Sequence, residues 1–166
     1  MGVSRTRPLF EDAFDELFEL AFKLAVRVVG TPAVAEDVAA ETMVRTLLHW
    51  KRVGDRPWRT AWVVRVATNV ALDAYRRSWR PSVDSGQGLV TADDTVVLRE
   101  ALVAALRQLP LRQRQAIAMR YLADQSDKDI AGAMGVRPVT VRTHLRRGLA
   151  ALRVSLGPTW EERLHA

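Results

Sequence analysis

Apolar residues recur at intervals of three or four positions through most of this 166-residue chain. In the first long segment they stand at 10, 14, 17, 18, 21, 24, 25 and 28. That spacing places them on one face of a helix. A second helix is expected at 34–50, with Val38, Leu47 and Trp50 along its apolar side. No segment shows the two-residue alternation of a half-buried strand, so the sequence predicts an all-α fold.

Turn-forming residues divide the helical pattern into two small helical domains. A Gly-Thr-Pro run at 30–32 ends the first helix, and a loop at 51–56 precedes a third helix at 57–77. Proline, serine and glycine then collect among acidic residues from 79 to 94, which is typical of a flexible linker. The predicted organisation is a first domain at 8–80, a linker at 81–94 and a second domain at 95–156.

Positive charge is concentrated in two blocks that are separated by negative segments. The chain carries 25 basic and 19 acidic residues, a net charge of +6. Residues 51–80 hold 8 basic and 2 acidic side chains, and residues 99–155 hold 11 and 4. Clustered cations are the electrostatic footprint of nucleic-acid binding. The distribution therefore predicts two nucleic-acid contacts on one chain.

Several functional classes lack the residues that they need. Cysteine is absent, which removes disulfides, thiolate catalysis and cysteine zinc sites. Asp55 and Asp73 are the only acids in the first basic block, and the three histidines are scattered, so metal-dependent phosphoryl chemistry is not expected. No apolar run reaches the ~18 residues of a membrane span, and no secretory signal is seen. We expect a cytoplasmic protein with no catalytic residue, metal or cofactor.

The segment 126–153 has the pattern of a helix-turn-helix. Ser126 suits an N-cap, Gly135 permits the left-handed backbone that ends a helix, and Pro138 suits the first turn of the next helix. That helix carries arginines and threonines and no acidic side chain. Such a face suits phosphates and base edges in a major groove. The alternative is an amphipathic helix of a soluble bundle, but an ordinary solvated face usually mixes charges of both signs, so the pattern favours the major groove. The residues expected to meet a duplex are Arg137, Thr140, Arg142, Thr143, Arg146 and Arg147.

Three stretches resemble the extracytoplasmic-function (ECF) sigma factors of the sigma-70 family. AEDVAAETMVR at 35–45 is similar to the AEDLVQETFLRAW motif of region 2.2. WVVRVATNVALDAYRR at 62–77 is similar to the WLYRIARNLALDRLRR run of regions 2.3 and 2.4. Leu109-Pro110, Ile130-Ala131 and Met134-Gly135-Val136 match region 4. The resemblance implies a region 2 helical bundle, a region 4 helix-turn-helix and a role in promoter-specific transcription initiation by RNA polymerase.

The resemblance also implies a role for each surface. Region 2.2 of the family docks on the β′ clamp helices of core polymerase, which assigns docking to Glu36, Asp37 and Glu41. Regions 2.3 and 2.4 melt the promoter and capture the −10 element as a single strand, which assigns that role to Lys51, Arg52, Arg56, Trp58, Arg59, Asn69, Asp73, Arg76 and Arg77. Region 4 reads the −35 element through the helix-turn-helix residues named above. The implied partners are promoter DNA, core RNA polymerase (β′ clamp helices and β flap) and an anti-sigma factor, without membrane insertion.

The chain departs from the family pattern at three positions. Ala40 stands where the family usually has glutamine, so one polar docking contact is absent. Arg137 and Val139 replace the usual serine and glycine at the start of the recognition helix. Among the tryptophans, Trp62 is expected to be buried in the core, and the position of Trp58 is left open.

Two alternative functions need different residues. A stand-alone helix-turn-helix regulator needs a ligand pocket or a phosphorylatable aspartate in residues 1–80, which instead hold arginines interleaved with tryptophans. A nuclease or nucleotide transferase needs carboxylates clustered near the basic surface. The sequence favours the initiation factor over both.

Overall fold

The computed structural model describes residues 8–78 and 94–160, and within them the chain forms seven α-helices and no strand. The first three helices form one bundle, and the last four form a second. The helices are α1 Phe10–Val29, α2 Pro32–Val53, α3 Arg59–Ser78, α4 Asp94–Gln108, α5 Leu111–Tyr121, α6 Asp127–Met134 and α7 Pro138–Leu156. The predicted all-α class is confirmed.

The connection between α2 and α3 differs from the sequence prediction. A loop was expected from residue 51, but α2 continues to Val53, and the N–H of Gly54 donates to the Trp50 carbonyl at 2.9 Å. α3 begins at Arg59, two residues after Pro57, where its start was expected. The segment between the two helices is therefore a short pair of turns and not an extended loop.

Small side chains allow close packing in the first bundle. Seven alanines of α1, α2 and α3 have no exposed surface, namely those at 21, 25, 35, 39, 61, 67 and 71. The hydroxyls of Thr42, Thr46 and Thr68 are also buried, and each donates to the carbonyl four residues earlier at 2.7 to 2.8 Å. Because these hydroxyls are satisfied within their own helices, their burial leaves no unpaired donor.

The buried side of α2 is rotated from the predicted one. Val38 and Trp50 are buried as expected, but Leu47 is 52% exposed while Thr46 is fully buried. The prediction for Leu47 was wrong because the buried side of α2 runs through positions 42, 46 and 50. A threonine that bonds its own helix can occupy the core, and the leucine beside it then faces outward.

Arg114 connects two helices of the second bundle through hydrogen bonds. Its guanidinium donates to the carbonyls of Leu106, Arg107 and Leu109 at 2.9 to 3.1 Å. These carbonyls lie at the end of α4, where helical partners are missing. Burial lowers the pKa of Arg114, and the Arg107 cation lowers it further. Arg114 thereby ties α5 to the end of α4.

The two bundles are in contact with each other. α5 and α6 lie against α3, and Ile130 and Met134 of α6 are buried in the same apolar cluster as Val63 and Ala67 of α3. Helical periodicity does not predict this contact between the bundles. Of the predicted linker at 81–94, residues 81–93 lie outside the described residues, and Asp94 is the first residue of α4.

Candidate nucleic-acid interface

The helix-turn-helix has the geometry that the turn residues predict. The Ser126 hydroxyl accepts a hydrogen bond from the Asp129 N–H at 3.1 Å and so caps α6. Gly135 ends α6 in the left-handed region with φ of 66°. Pro138 occupies the first turn of α7, where a missing N–H costs nothing. These three local preferences fix the angle at which α7 leaves the turn.

The outward face of α7 is cationic. Val141, Gly148 and Leu152 are buried against the second bundle, and the helix sequence holds no acidic residue. The opposite face exposes four of the six residues expected to meet a duplex, Arg137, Arg142, Arg146 and Arg147. Thr140 and Thr143 are half-buried, and the hydroxyl of Thr143 donates to the Val139 carbonyl at 3.1 Å.

Val139 is an exposed apolar residue on this surface. Its side chain is 56% exposed in the first turn of α7. The N-terminal residues of a recognition helix are the ones that reach base edges, and apolar side chains in that position contact the methyl group of thymine. The sequence showed Val139 only as a departure from the family, without a role.

One carboxylate lies beside the cationic face. Asp127 of α6 pairs with Arg120 and also lies 3.6 Å from the Arg142 guanidinium. The Arg142 side chain is well exposed, so this second pair is weak in water. Asp127 therefore partly offsets the positive charge of Arg142 on the cationic face of α7.

The first basic block is divided between exposed and structural cations. Lys51, Arg52 and Arg56 are exposed at the end of α2 and in the turn after it. Arg59 is half-buried instead, and its guanidinium donates to the Gly54 carbonyl at 2.8 Å and lies 5.6 Å from the centre of the Trp50 ring. Arg59 thus fastens the turn between the two helices.

A cleft of about 360 Å³ opens where α2, α3 and α5 meet. Asn69 and Arg65 of α3 line it together with Arg52 of α2. Burial lowers the pKa of Arg65, and the Arg112 and Arg52 cations lower it further. The Oδ1 atom of Asn69 is buried and has no hydrogen-bond partner among the described residues.

The tryptophans near this cleft have different environments. Trp62 is buried, at 3% exposure, as predicted, yet its ring also lines the cleft. Trp58 is half-buried, and Gly132 of α6 lies against its ring. Neither indole is fully open to a base in this arrangement.

The far end of α3 belongs to a different cleft. Asp73 and Arg77 line it with Asp37 and Glu41 of α2, and Arg76 is exposed nearby. The helical spacing of these α3 residues had grouped them with Asn69. The structure brings Asn69 together with Arg52, whereas Asp73 and Arg77 face the acidic side of α2.

The outer side of α2 combines acidic and apolar residues. Glu36, Asp37 and Glu41 are exposed, and Glu41 pairs with Arg45 at 2.8 Å. The next turns expose Val44, Leu47 and Leu48, the last at 75%. Contiguous exposed apolar residues are typical of a protein-binding surface. We call these three residues the α2 apolar strip; the sequence did not identify it because leucine was assigned to the core.

The described residues contain no helix long and apolar enough to cross a membrane. In the same part of the chain, no group of three acidic, histidine or cysteine side chains could hold a metal ion. The described residues present a cationic helix-turn-helix and, from the end of α2 through α3, a basic segment that contains tryptophans. Clustered cations of this kind are typical of a DNA-binding protein.

Known proteins match both bundles. Sigma-70 region 2 matches residues 13–81, and Sigma-70, region 4 matches residues 99–152. The chain is 36% identical over 158 residues to the ECF RNA polymerase sigma factor SigL of Mycobacterium tuberculosis, with 89% of each chain covered. It is 26% identical over 169 residues to the ECF RNA polymerase sigma factor SigW of Bacillus subtilis, covering 88% of this chain and 90% of that protein.

Two solved structures share the fold. One is CnrH in complex with the cytosolic domain of CnrY, with a TM-score of 0.57, 22% identity and 87% of each chain covered. The other is the sigma factor RpoE in complex with the anti-sigma factor NepR from Bartonella quintana, with a TM-score of 0.52 and 18% identity, covering 89% of this chain and 96% of that one.

The chain belongs to the ECF sigma factors of the sigma-70 family. Its function is that of an RNA polymerase sigma factor in promoter-specific transcription initiation. A stand-alone regulator is not favoured, because residues 13–81 match Sigma-70 region 2. Sigma factors are initiation factors without a catalytic role of their own.

Asp127→Asn should strengthen binding of the chain to duplex DNA. The substitution removes the carboxylate beside Arg142 and leaves that cation free for a phosphate. If one more phosphate is neutralised, the slope of log K against log salt should steepen by about 0.9, as measured by fluorescence anisotropy over a salt series.

Asp129→Asn is the matched control. It removes a carboxylate from the same turn of α6, but Asp129 contacts Ser126 and not Arg142. Its salt slope should stay at the native value. A weaker binding of Asp127→Asn with an unchanged slope would mean that Asp127 positions Arg142 for the duplex.

Proposed function

We propose that this sigma factor reads the −35 element as a duplex with α7 and captures the −10 element as a single strand with the α2–α3 turn and α3. The proposed units are a first domain at 8–80, a linker at 81–94 and a second domain at 95–156. The observation that carries the proposal is the outward face of α7, where four exposed arginines stand on a helix without acidic residues.

The −35 contact is proposed for the N-terminal end and the middle of α7. Arg146 and Arg147 lie at the middle of the helix and suit the phosphate backbone, since exposed guanidiniums neutralise phosphates without reading sequence. Arg137, Val139 and Thr140 lie at the N-terminal end, which enters a groove first. Val139 is the candidate for a thymine methyl and Arg137 for a guanine edge. Arg142 and Thr143 complete the proposed set.

The −10 contact combines cations with aromatic and amide groups. Lys51, Arg52 and Arg56 form an exposed basic track beside Trp58. Single strands bind such tracks through phosphate contacts and through stacking of unpaired bases on aromatic rings. Asn69 supplies an amide in the adjacent cleft. Asp73, Arg76 and Arg77 extend the proposed surface along α3, and Arg59 supports it from within the turn.

Core polymerase docking is proposed for the outer side of α2. Glu36, Asp37 and Glu41 suit arginines on a partner, and the α2 apolar strip continues that face. In a docked complex, the apolar strip would supply buried area and the acids would set orientation. The partner proposed for this face is the β′ clamp helices, and the second bundle is proposed to meet the β flap.

The remaining proposals concern regulation and cellular location. One structural neighbour is the sigma factor RpoE in complex with the anti-sigma factor NepR, and an anti-sigma factor is proposed for this chain as well. We propose that the protein acts in the cytoplasm, where polymerase and the chromosome are, and that it has no enzymatic activity or cofactor.

Run-off transcription with purified core polymerase tests the proposed function. Addition of the chain should give discrete transcripts from a subset of genomic templates, whereas core polymerase alone should give none. Tight duplex binding without any promoter-specific transcript would contradict the proposal and favour a stand-alone regulator as the function.

Replacing Arg146 and Arg147 together by alanine should weaken −35 duplex binding and flatten its salt dependence. Two lost phosphate contacts reduce the slope of log K against log salt by about 1.8. Anisotropy titrations over a salt series measure this slope. Replacing both residues by lysine is the matched control and should keep most of it, so an unchanged slope in the alanine variant would remove both residues from the phosphate-contacting set.

Asn69→Ala should impair promoter opening more than polymerase association. The side chain is proposed to hold an unpaired base, whereas polymerase docking is proposed for the acidic residues and the apolar strip of α2. Permanganate reactivity of −10 thymines measures opening, and native gel shift of the holoenzyme measures association. Leu48→Ala is the control and should impair polymerase association more than promoter opening. Equal losses of association and opening in Asn69→Ala would contradict the −10 assignment.

A further inference from the structure

The cleft where α2, α3 and α5 meet collects positive charge. Arg52, Arg65 and Arg112 line it, and no carboxylate is among its described lining residues. Arg45 lines it as well, but its guanidinium pairs with Glu41 at 2.8 Å, which neutralises that charge. Three guanidiniums without an acidic partner in one cleft favour a ligand that carries several negative charges, because the planar fork of arginine suits phosphate oxygens.

Two of these arginines are held in position by the protein itself. The Arg112 guanidinium donates to the Met134 carbonyl at 3.0 Å. The Arg65 guanidinium lies 5.9 Å from the centre of the Trp62 ring. Burial lowers the pKa of Arg65, and the Arg112 and Arg52 cations lower it further, so an anion between them would relieve repulsion. Because the two side chains are already ordered, an anion that binds them costs little side-chain entropy.

Buried polar groups line the same cleft. Gln115 is 6% exposed and Trp62 is 3% exposed, and both are lining residues. The Oε1 atom of Gln115, the Nε1 atom of Trp62 and the Oδ1 atom of Asn69 are buried without a hydrogen-bond partner among the described residues. Unpaired buried polar groups cost free energy. A planar ligand with donors and acceptors on its edge, as nucleobases have, would lower that cost once the two amides turn toward it.

The cleft also has a less polar side and a limited size. The exposed ring of His49 lies 5.3 Å from the Trp62 ring, and Leu111 is 53% exposed beside them in the lining. Bases stack on aromatic rings of this kind. The volume of about 360 Å³ falls at the lower end of the roughly 300–1,000 Å³ of small-molecule sites. This size suits a single nucleotide better than a strand of several.

We infer that the cleft binds a free nucleoside diphosphate, and that the bound nucleotide excludes a DNA single strand from α3. The two phosphate groups carry about three negative charges between them at neutral pH, which matches the three guanidiniums. The base is placed toward the amides of Asn69 and Gln115. The exclusion rests on the proposed −10 role of Arg52 and Asn69. No residue of α7 lines the cleft, so duplex reading is independent of the nucleotide.

Calorimetric titration of the full chain tests the site directly. ADP, GDP, CDP and UDP are titrated at constant ionic strength, and at least one should saturate a single site per chain below about 1 mM. Pyrophosphate and the matching nucleoside each carry half of the ligand and should bind at least about tenfold more weakly. No saturation by any of the four diphosphates would overturn the inference. Equal affinities for pyrophosphate and the best diphosphate would overturn the nucleoside part.

Arg112→Gln should weaken nucleotide binding about tenfold, because one charged hydrogen-bond donor to a phosphate is lost. Arg107→Gln is the matched control. It removes the same charge from the same bundle, at an exposed position at the end of α4 that does not line the cleft, and should keep the native affinity. Duplex affinity checks that the second bundle of each variant is folded. If Arg112→Gln loses it, Arg52→Gln at the exposed end of α2 replaces that variant. Unchanged nucleotide affinity in the folded variant would overturn the site.

Competition with DNA tests the exclusion. A labelled, mixed-sequence single strand of about 12 nucleotides, the scale of a single-strand site, is titrated by fluorescence anisotropy with and without the best diphosphate. At a nucleotide concentration ten times its Kd, single-strand affinity should fall about elevenfold, whereas duplex affinity should not change. An equal loss of duplex affinity would mean general competition between anions and would overturn the inference. Unchanged single-strand affinity with the nucleotide bound would overturn the exclusion.

Run-off transcription separates this inference from the proposed function. A chain that directs promoter-specific transcripts but binds none of the diphosphates keeps its function and loses the nucleotide site. A chain that binds a diphosphate with the expected loss in Arg112→Gln but gives no transcripts keeps the nucleotide site and loses the function. The two failures are therefore distinguishable.

Discussion

The structure depends on burial of one helix, α3, from two directions. Ala61, Ala67 and Ala71 leave no space between α3 and the rest of the first bundle, and α5 and α6 pack on it from the second bundle. A helix packed from both sides has little freedom to rotate, so the direction in which each of its polar side chains points is fixed. Asn69 lines one cleft and Asp73 another, because the packing of α3 directs different turns of the helix toward different neighbours.

Features determined by local chemistry could be predicted from the sequence. The α1 helix, the Ser126 cap and the Gly135 turn each follow from preferences that act within a few residues. Burial of Trp62 followed from helical spacing and the size of its ring. These features locate the helix-turn-helix and its cationic face without reference to the rest of the fold. The resemblance to region 2, in contrast, was needed to give the first basic block a role.

Features determined by distant contacts could not be predicted in this way. Leu47 is exposed because Thr46 satisfies its hydroxyl within α2 and takes the core position. Arg59 is half-buried because its guanidinium donates to the Gly54 carbonyl and lies over the Trp50 ring. Gly132 of α6 lies against the Trp58 ring of the first bundle, a contact that helical periodicity does not predict. In each case the deciding partner lies on a part of the fold that periodicity does not describe.

The two proposed DNA surfaces differ in how their charge is held. The arginines of α7 are solvated, so they attract a duplex at long range, and neutralisation of phosphates by them releases counterions. The arginines around Asn69 instead lie close together in a partly buried cleft, where burial and the neighbouring cations lower the pKa of Arg65. The two proposed surfaces therefore differ in solvation, a difference that the distribution of charge along the sequence does not reveal.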